Sequence, residues 1–417
     1  MSKPPVNQLV DHLFRREAGK MVAVLSKLFG FQNLHLAEDI VQDTMLTALS
    51  AWSMGTVPEN PSAWLYKVAR NKAVDSLRRK QNFQQFSATL QEDSTTKTDE
   101  VSIEDMFLDE AIKDDQLRMI FACCHPALNP SAQISLILKT LCGLSVQEIA
   151  SAFLTTEGVI EKRLYRTREK IRNENILLDL PNGVPLEERI RAVLQTIYLL
   201  FNEGYYSSHP DRLIRKDLCE EAMLLCQLLY QTPLIKEPSV GALLSLMCFQ
   251  SSRFEARLDR LGEIVLLAEQ DRTLWDKRLI DLGVWYLEQS AYGNLLSKYH
   301  LEAAIAYYHS TAKSFAVTEW GKIINCYDQL LVLEPNPIVE LNRCVALAQI
   351  QGYTIALEQA LGIEGLEKNH LYYGILGEFY WQVGNKEEAL RSYEIALSLT
   401  LSKAERELLK KKLQEMF

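Results

Sequence analysis

The chain has 417 residues, of which 47% are hydrophobic, 24% charged and 9% aromatic, which is typical of globular proteins and excludes disordered and fibrous classes. Its length predicts roughly two to four domains. The formal net charge of −9 argues against DNA binding by the whole surface, although it allows a basic module within a larger chain.

Targeting segments and reactive motifs are not evident in the sequence. No stretch approaches the roughly 18 apolar residues of a transmembrane helix, and the first residues lack an apolar signal core, so we expect a cytoplasmic protein without membrane contact. The eight cysteines include no Cys-x-x-Cys pair, which favours a reduced protein. Nucleotide-binding, zinc-protease and nucleophile-elbow motifs are missing, so the sequence predicts no cofactor, no metal site and no catalytic residue.

Positive charge is concentrated in two N-terminal blocks. Residues 1–80 hold 11 Lys and Arg against 7 Asp and Glu, and residues 118–180 hold 8 against 6. Between them, residues 81–117 hold 2 against 10. This distribution predicts nucleic-acid contact by the N-terminal part only.

Hydrophobic residues recur with a helical period along nearly the whole chain, which predicts an all-α fold. In chain order, the first helices are expected over residues 9–29 and 36–52. Gly and Pro residues break the pattern over 55–61, because proline fixes φ and removes a hydrogen-bond donor. The third helix is expected over 63–80, with Ser62 as its N-cap.

Composition divides the chain into five segments. A polar, acidic stretch separates the two basic blocks, and two prolines and a glycine within Leu180–Pro185 mark another boundary. The predicted segments are a helical domain (1–80), a flexible acidic linker (81–115), a second helical domain (116–180), a helical extension (186–290) and a repeat-containing region (291–417).

A helix-turn-helix pattern occupies residues 144–168. Ser145 and Glu148 have the spacing of a capping box, and Thr156 is placed to cap a longer second helix. Lysines and arginines cover the outer faces of that helix, as in helices that enter the major groove. The residues expected to point inward are Val159, Ile160, Leu164 and Ile171. An amphipathic hairpin with a solvated basic face is the alternative.

Residues 61–80 combine six basic residues with two aromatic ones, Trp64 and Tyr66. Cations interleaved with aromatic rings suit single-stranded nucleic acid, where bases stack on rings and the backbone follows positive charge. The alternative is that both rings are core anchors, and for Trp64 this alternative is favoured.

The repeat-containing region has a pattern typical of the 34-residue tetratricopeptide repeat. Small and aromatic residues keep the repeat order at Tyr373, Leu376, Gly377, Tyr380, Ala389, Tyr393 and Ala396. Tyr327 lies about two repeat lengths before Tyr393. An irregular helical domain is the alternative.

Together these motifs resemble bacterial RNA polymerase sigma factors of the extracytoplasmic-function type. Residues 37–44 and 60–71 are similar to region 2 of that family, and residues 116–180 are similar to region 4. Further motifs resemble a subgroup with a long helical, tetratricopeptide-like C-terminal extension, at Ile120–Pro126, Leu199–Tyr205 and Asp271–Trp275.

The resemblance implies a promoter-specificity subunit that helps to melt the −10 element and is not an enzyme. Its expected partners are promoter DNA and core RNA polymerase, through the clamp helices of the largest subunit and the flap. The expected polymerase contacts are Glu38, Asp39, Gln42 and Asp43. The expected −10 contacts are Trp64, Lys67, Arg70, Asn71 and Arg78. The expected −35 contacts are Glu157, Val159, Lys162, Arg163 and Arg166.

The resemblance also suggests that the extension regulates the sigma module, through an intramolecular contact between its acidic surface and the basic helices. A polymerase-independent DNA-binding regulator is one alternative, although it has no need of residues 36–71. An enzyme or scaffold built on the extension is another.

Three local clusters invite a chemical interpretation. Cys123, Cys124 and His125 could ligate a metal, but consecutive residues cannot all face one ion from a helix, so a packed helix end is favoured. Glu203, grouped with Asn202, Gly204, Tyr205, His209 and Asp211, could be a general base, but a helix-helix turn is favoured. Asp271 and Arg272 near Trp275 are expected to form a structural ion pair.

Overall fold

The computed structural model describes residues 6–55, 57–88, 109–153, 155–180, 184–206, 214–293, 295–400 and 402–416. In these ranges the chain forms 18 α-helices, four 3₁₀ turns and no strand, which confirms the all-α prediction. The chain divides into two compact units, Met1–Leu199 and Leu200–Phe417. No helix within the described ranges has the length and apolarity needed to cross a membrane.

Seven helices lie wholly within the first unit. They are α1 (Val6–Phe29), α2 (Leu34–Met54), α3 (Pro61–Ala88), α4 (Asp109–Cys123), α5 (Pro130–Thr140), α6 (Val146–Ala152) and α7 (Glu157–Asn173). The next helix, α8 (Val184–Tyr205), includes the division between the units.

Helix α1 is the centre of the first unit and packs on α2, α3, α4 and α5. Its inner face is fully buried at Met21, Ala23 and Leu25. Gly19 is required by close packing, because a Cβ there would lie 2.0 Å from the carbonyl oxygen of Leu141, just after α5. Because α1 buries apolar side chains against helices of both groups, it holds the α1–α3 helices and the α4–α7 helices together.

Helix α3 begins earlier and ends later than its sequence pattern predicted. The Asn60 side chain accepts a hydrogen bond from the Ala63 backbone N–H at 3.0 Å, so Asn60, not Ser62, caps the helix. The Ser62 hydroxyl instead donates to Glu17 Oε1 at 3.2 Å. Pro61 opens the helix because the first helical position needs no backbone donor.

Helices α3 and α4 include both ends of the predicted acidic linker. Helix α3 continues to Ala88 and α4 starts at Asp109, while residues 89–108 lie outside the described ranges. The predicted boundary at 180–185 also falls partly outside them, at residues 181–183.

Helices α6 and α7 form the predicted helix-turn-helix and pack on each other and on α5. The capping box of α6 is confirmed: Glu148 N–H donates to Ser145 Oγ at 3.1 Å, and Ser145 N–H donates to Glu148 Oε2 at 2.8 Å. Thr156 precedes α7 as expected, but its side chain makes no capping hydrogen bond.

The second unit contains ten further helices and the end of α8. They are α9 (Lys216–Tyr230), α10 (Pro238–Ser251), α11 (Lys277–Gln289), α12 (Lys298–Thr311), α13 (Trp320–Leu333), α14 (Pro337–Gln351), α15 (Tyr353–Leu361), α16 (His370–Gln382), α17 (Lys386–Leu399) and α18 (Lys403–Gln414).

Helix α10 is buried on nearly all sides and contacts α9, α11 and α12. From α11 to α18, each helix packs on the next one in the chain. The predicted boundary after residue 290 coincides with the segment between α11 and α12. Small residues allow the closest approaches, since Ala356, Ala360, Ala389 and Ala396 are completely buried.

All eight cysteines are buried and unpaired in the structure. Cys123 and Cys124 lie at the packed end of α4, where Cys123 Sγ is 3.6 Å from Thr140 Oγ1. The His125 Nδ1 atom accepts from the Ala127 backbone N–H at 3.2 Å. These contacts support the interpretation as a packed helix end.

Candidate nucleic-acid and polymerase interfaces

Three of the four expected polymerase contacts lie on the open face of α2. Asp39, Gln42 and Asp43 are exposed, with Asp43 Oδ2 at 3.8 Å from Lys72 Nζ of α3. Leu46 shares this face and is 62% exposed, and Met54 at the end of the helix is 92% exposed. The open face of α2 therefore combines polar side chains with exposed apolar ones.

The fourth expected contact, Glu38, is not on the open face. It is 8% exposed, and its Oε2 accepts a hydrogen bond from Arg168 Nη2 of α7 at 2.6 Å. Burial raises the pKa of Glu38, while the positive charge of Arg168 opposes that rise. Position 38 differs from 39, 42 and 43 because it points toward the α4–α7 helices.

The five expected −10 contacts share one side of α3. At about 100° per residue, positions 64, 67, 70, 71 and 78 fall within about 120° of the helix circumference. Lys67, Asn71 and Arg78 are exposed, and Arg70 is half-buried. The helix therefore presents Lys67, Arg70 and Arg78 on one side, with the exposed carboxylate of Asp75 at its edge.

The two aromatic residues of α3 are partly committed to packing. The Trp64 ring lies 5.3 Å from that of the buried Trp52, centroid to centroid, and is half-buried. The Tyr66 hydroxyl donates to Glu17 Oε2 at 2.9 Å. Tyr66 is thus half-buried and anchored by its hydroxyl, and Trp64 is half-buried against Trp52.

Helix α7 exposes most of the expected −35 contacts. Glu157, Lys162 and Arg166 are exposed, and Val159 is 46% exposed. The prediction that Val159 points inward is wrong, whereas Ile160, Leu164 and Ile171 are buried as predicted. Val159 lies one residue from Ile160, and the apolar stripe of this helix is too narrow to cover both.

Arg163 differs from the other expected −35 contacts because it packs inside the domain. Its Nη1 donates to Ser135 Oγ of α5 at 3.1 Å, and its guanidinium lies 4.7 Å from the Phe153 ring centroid. Tyr165, which sequence reasoning missed, is 61% exposed on the same helix. The signal available in the sequence was an aromatic residue among the basic residues of this helix.

The enzyme-like cluster around Glu203 contains a close helix crossing. A Cβ on Gly204 would lie 2.7 Å from Cys219 Sγ, and the Tyr205 carbonyl accepts from Arg257 Nη1 at 2.6 Å. His209 and Asp211 lie outside the described residues. The described part of this cluster therefore has the features of a packed helix-helix turn.

The expected Asp271–Arg272 ion pair does not form. Asp271 Oδ1 accepts from the Thr273 backbone N–H at 2.9 Å and caps a 3₁₀ turn. Arg272 instead donates to the His309 and Ala312 carbonyls at 2.7 and 2.8 Å. Its guanidinium carbon lies 4.5 Å from the Trp275 ring centroid, so the aromatic contact forms as expected.

Three family models match the chain. Sigma-70 region 2 matches residues 13–83, and Sigma-70 region 4 matches residues 118–171. A family of unknown function, DUF6596, matches residues 189–291. The first two matches contain every expected polymerase and DNA contact.

Curated relatives divide into one long match and several shorter ones. "Uncharacterized protein R00370" of Rhizobium meliloti (strain 1021) is 35% identical over 90% of this chain and 88% of its own length. The ECF RNA polymerase sigma factor SigE of Mycolicibacterium smegmatis is 26% identical over 39% of this chain and 60% of its own. SigW of Bacillus subtilis, also an ECF RNA polymerase sigma factor, is 24% identical over 34% of this chain and 76% of its own. No solved structure gives a significant match.

Proposed function

The chain belongs to the extracytoplasmic-function type of the sigma-70 family, in a subgroup with a helical C-terminal extension, and we propose that it directs core RNA polymerase to a specific set of promoters and helps to melt the −10 element. The main observation behind this proposal is the basic face of α3, followed along the chain by the helix-turn-helix of α6 and α7. In this proposal the chain acts in the cytoplasm by binding polymerase and promoter DNA, and it has no catalytic residue of its own.

The open face of α2 is the proposed docking surface for the clamp helices of the largest polymerase subunit. Asp39, Gln42 and Asp43 supply polar contacts, and Leu46 supplies apolar area at the centre of the face. A central apolar side chain within a polar rim is the usual anatomy of a protein interface. Glu38 reaches polymerase only if its contact with Arg168 opens.

The basic face of α3 is the proposed surface for the melted −10 strand. Lys67, Arg70 and Arg78 neutralise phosphates, Asn71 offers an amide to a base edge, and the half-buried Trp64 offers the accessible part of its ring to a base. Because extruding a base costs a few kcal/mol, a positive surface beside an aromatic ring favours strand opening.

The N-terminal half of α7 is the proposed −35 reader. Lys162 and Arg166 are placed to contact phosphates or guanine edges, and Val159 and Glu157 to contact bases near the helix start. Arg163 is assigned a supporting role, since it already contacts Ser135 and Phe153. The polymerase flap is the expected protein partner of this part of the chain.

The extension is proposed to regulate the sigma module. It carries a formal excess of acidic residues, whereas the α3 and α7 surfaces are basic. Its repeated packing of consecutive helices from α12 to α18 is consistent with a tetratricopeptide-like array that buries a continuous core.

Reconstituted transcription tests the proposal. The full chain and bacterial core polymerase are incubated with a pool of genomic fragments, and transcript 5′ ends are sequenced. Start sites that share a −35 and −10 pair are expected. Leu46→Glu should lower polymerase affinity roughly tenfold, as for loss of a central interface side chain, whereas exposed Leu224→Glu in the extension should not. DNA binding by the folded chain without any transcript would support a polymerase-independent regulator instead.

Regulation by the extension is tested by cutting the chain. A site-specific protease sequence placed at residues 181–183 allows the folded full chain to be cleaved before α8. We expect the transcript yield at a mapped promoter to change on cleavage. An unchanged yield would contradict regulation while leaving the sigma-factor proposal intact.

A further inference from the structure

The helices of the second unit line an open cavity of about 510 Å³, formed by residues between Leu266 and Lys412. This volume is within the range of small-molecule binding sites. Leu266 and Leu267, from the irregular segment between α10 and α11, also line it. Six aromatic side chains from α13 to α17 and the turn before them contribute to its wall, namely Phe315, Trp320, Tyr327, Tyr353, Phe379 and Tyr393.

Two of the acidic groups in the cavity wall already have partners. Glu378 Oε2 accepts from Lys412 Nζ at 3.1 Å and from the Tyr393 hydroxyl at 3.0 Å. Glu405 Oε2 lies 2.9 Å from His370 Nε2. These pairs satisfy one another, and hydrogen bonds with them lower the pKa of both carboxyl groups against the effect of burial.

His309, also in the wall, has no such partner. Its Nδ1 atom is buried without a hydrogen-bond partner among the described residues, and its ring lies edge-to-face with that of Trp320, 5.2 Å between centroids. Burial, together with the charges of Arg253 and Arg272, lowers the pKa of His309 to about 3. The imidazole is therefore neutral at pH 7, and its buried Nδ1 atom has no hydrogen-bond partner among the described residues.

The surroundings of His309 are positively charged. Arg272 Nη1 donates to the His309 carbonyl at 2.7 Å, and Arg272 Nη2 is buried without a hydrogen-bond partner. Arg253 donates to the Tyr205 hydroxyl and to Gln250 Oε1, and neither acceptor is a carboxylate. No carboxylate among the described residues forms an ion pair with either arginine, and the exposed Glu269 is the third carboxylate of the cavity wall. His309 therefore lies beside two arginines whose charges are not paired.

We propose that the cavity binds a small amphipathic molecule, with an apolar body among the aromatic rings and one anionic group beside His309. The aromatic walls stabilise the body by removing its surface from water. An anionic group accepts a hydrogen bond from Nδ1 in the Nδ1–H tautomer of His309 and lies in the field of the two arginines. The proposal does not rest on promoter recognition, because every residue that carries it lies in the second unit.

Two matched fluorescent probes test it on the full chain. The anionic probe is 8-anilinonaphthalene-1-sulfonate, and the neutral probe is N-phenyl-1-naphthylamine, which has the same rings without the sulfonate. We expect saturable binding of one probe per chain, with the anionic probe roughly tenfold tighter, as for one charge-assisted hydrogen bond. Circular dichroism confirms that each protein used is folded.

Three variants locate the binding. Val345→Phe fills the cavity from α14 and should weaken both probes at least roughly tenfold, whereas Ile350→Phe, on the same helix but outside the cavity, should weaken neither. His309→Leu keeps the volume but removes the imidazole, so it should abolish the preference for the anionic probe and leave the neutral probe bound.

Three results would overturn the proposal. Failure of the folded full chain to bind either probe would contradict the proposal. This is also the result expected if the cavity accepts an apolar peptide instead of a small molecule. Equal binding by Val345→Phe and the unmodified chain would place the probes elsewhere. Equal affinity for the two probes, unaffected by His309→Leu, would remove the anionic group from the proposal.

Discussion

Arg168 of α7 and Glu38 of α2 form an ion pair across 130 positions of sequence, with Nη2 at 2.6 Å from Oε2. The pair joins the helix proposed to read the −35 element to the helix proposed to dock on polymerase. It is reinforced by a hydrogen bond from Gln32 Nε2 to Asn175 Oδ1 at 2.8 Å. The arrangement therefore keeps one of the expected polymerase contacts away from solvent.

Removing the cation of this pair should destabilise the first unit. In Arg168→Ala, the Glu38 carboxylate stays buried without its partner, and we expect a loss of about 2 kcal/mol in the free energy of unfolding at pH 7. Urea unfolding followed by circular dichroism measures it. Arg172→Ala, an exposed arginine on the same helix, is the control and should change the unfolding free energy by less than about 0.5 kcal/mol.

The same variant should have a distinctive pH dependence. Burial raises the pKa of Glu38, and Arg168 opposes that rise, so the pKa is raised further in Arg168→Ala. A carboxyl group with a raised pKa contributes stability at low pH and loses that contribution as the pH rises through its folded-state pKa. The difference between variant and unmodified chain should consequently be smaller at pH 5 than at pH 7. A double variant with Glu38→Gln should show no such trend, and a pH-independent difference would contradict the mechanism.

The basic face of α3 should contribute to promoter affinity through charge. Lys67→Ala should weaken binding of the polymerase complex to −10 DNA of any sequence, with the slope of log K against log salt reduced by about 1. Fluorescence anisotropy at several salt concentrations measures both quantities. Lys113→Ala, an exposed lysine on α4, is the matched control. A normal salt slope for Lys67→Ala would place this residue outside the DNA interface.

The fold was predictable from sequence where its cause is local. Apolar periodicity identified α1, α2 and α3, and the Ser145–Glu148 spacing identified the start of α6, because both signals depend on residues a few positions apart. The helix start at Pro61 was missed because Asn60 and Ser62 are both competent caps, and the choice depends on Glu17, which accepts the Ser62 hydroxyl. The Glu38–Arg168 pair has no local signal at all.

Two neighbouring basic residues of α7 should behave differently when substituted. Arg163→Ala loses a hydrogen bond to Ser135 and a cation–π contact with Phe153, so we expect the unfolding free energy to fall by about 1–2 kcal/mol. Lys162→Ala should leave stability unchanged and weaken binding to −35 duplex DNA. Urea unfolding and anisotropy on both variants separate the effects. Equal stability of the two variants would contradict the supporting role of Arg163.

The sequence identified the charged residues of the candidate site, but it did not show which of their side chains are exposed. The resemblance to region 2 grouped Lys67, Asn71 and Arg78, and in the structure all three are exposed on one side of α3. Arg163 and Lys162 are equally basic in sequence, and only the position of Phe153 beside α7 distinguishes them. Leu46 was overlooked because an apolar residue in a helix is normally assigned to the core, and its exposure depends on which neighbours reach it.

Two glycines of α16 differ in what surrounds them. A Cβ on Gly377 would lie 2.8 Å from two ring carbons and 3.0 Å from a third atom of the Tyr393 ring. Tyr393 is 3% exposed, and its hydroxyl is fixed by Glu378, so the ring has little room to move. A Cβ on Gly374 would meet only Leu409 Cδ2, at an ordinary 3.9 Å.

Substitution of these glycines by alanine should therefore have opposite effects on the second unit. Gly377→Ala should lower the free energy of unfolding by about 1–3 kcal/mol, because the added methyl group overpacks the crossing of α16 and α17. Gly374→Ala should raise it by about 0.5–1 kcal/mol, because alanine loses less backbone entropy in a helix. Thermal unfolding of the two full-length variants measures both changes. If Gly377→Ala were as stable as Gly374→Ala, the close approach of α16 and α17 would not be the reason for glycine at 377. The spacing from Gly377 to Tyr393 would then not indicate a pair of closely packed helices.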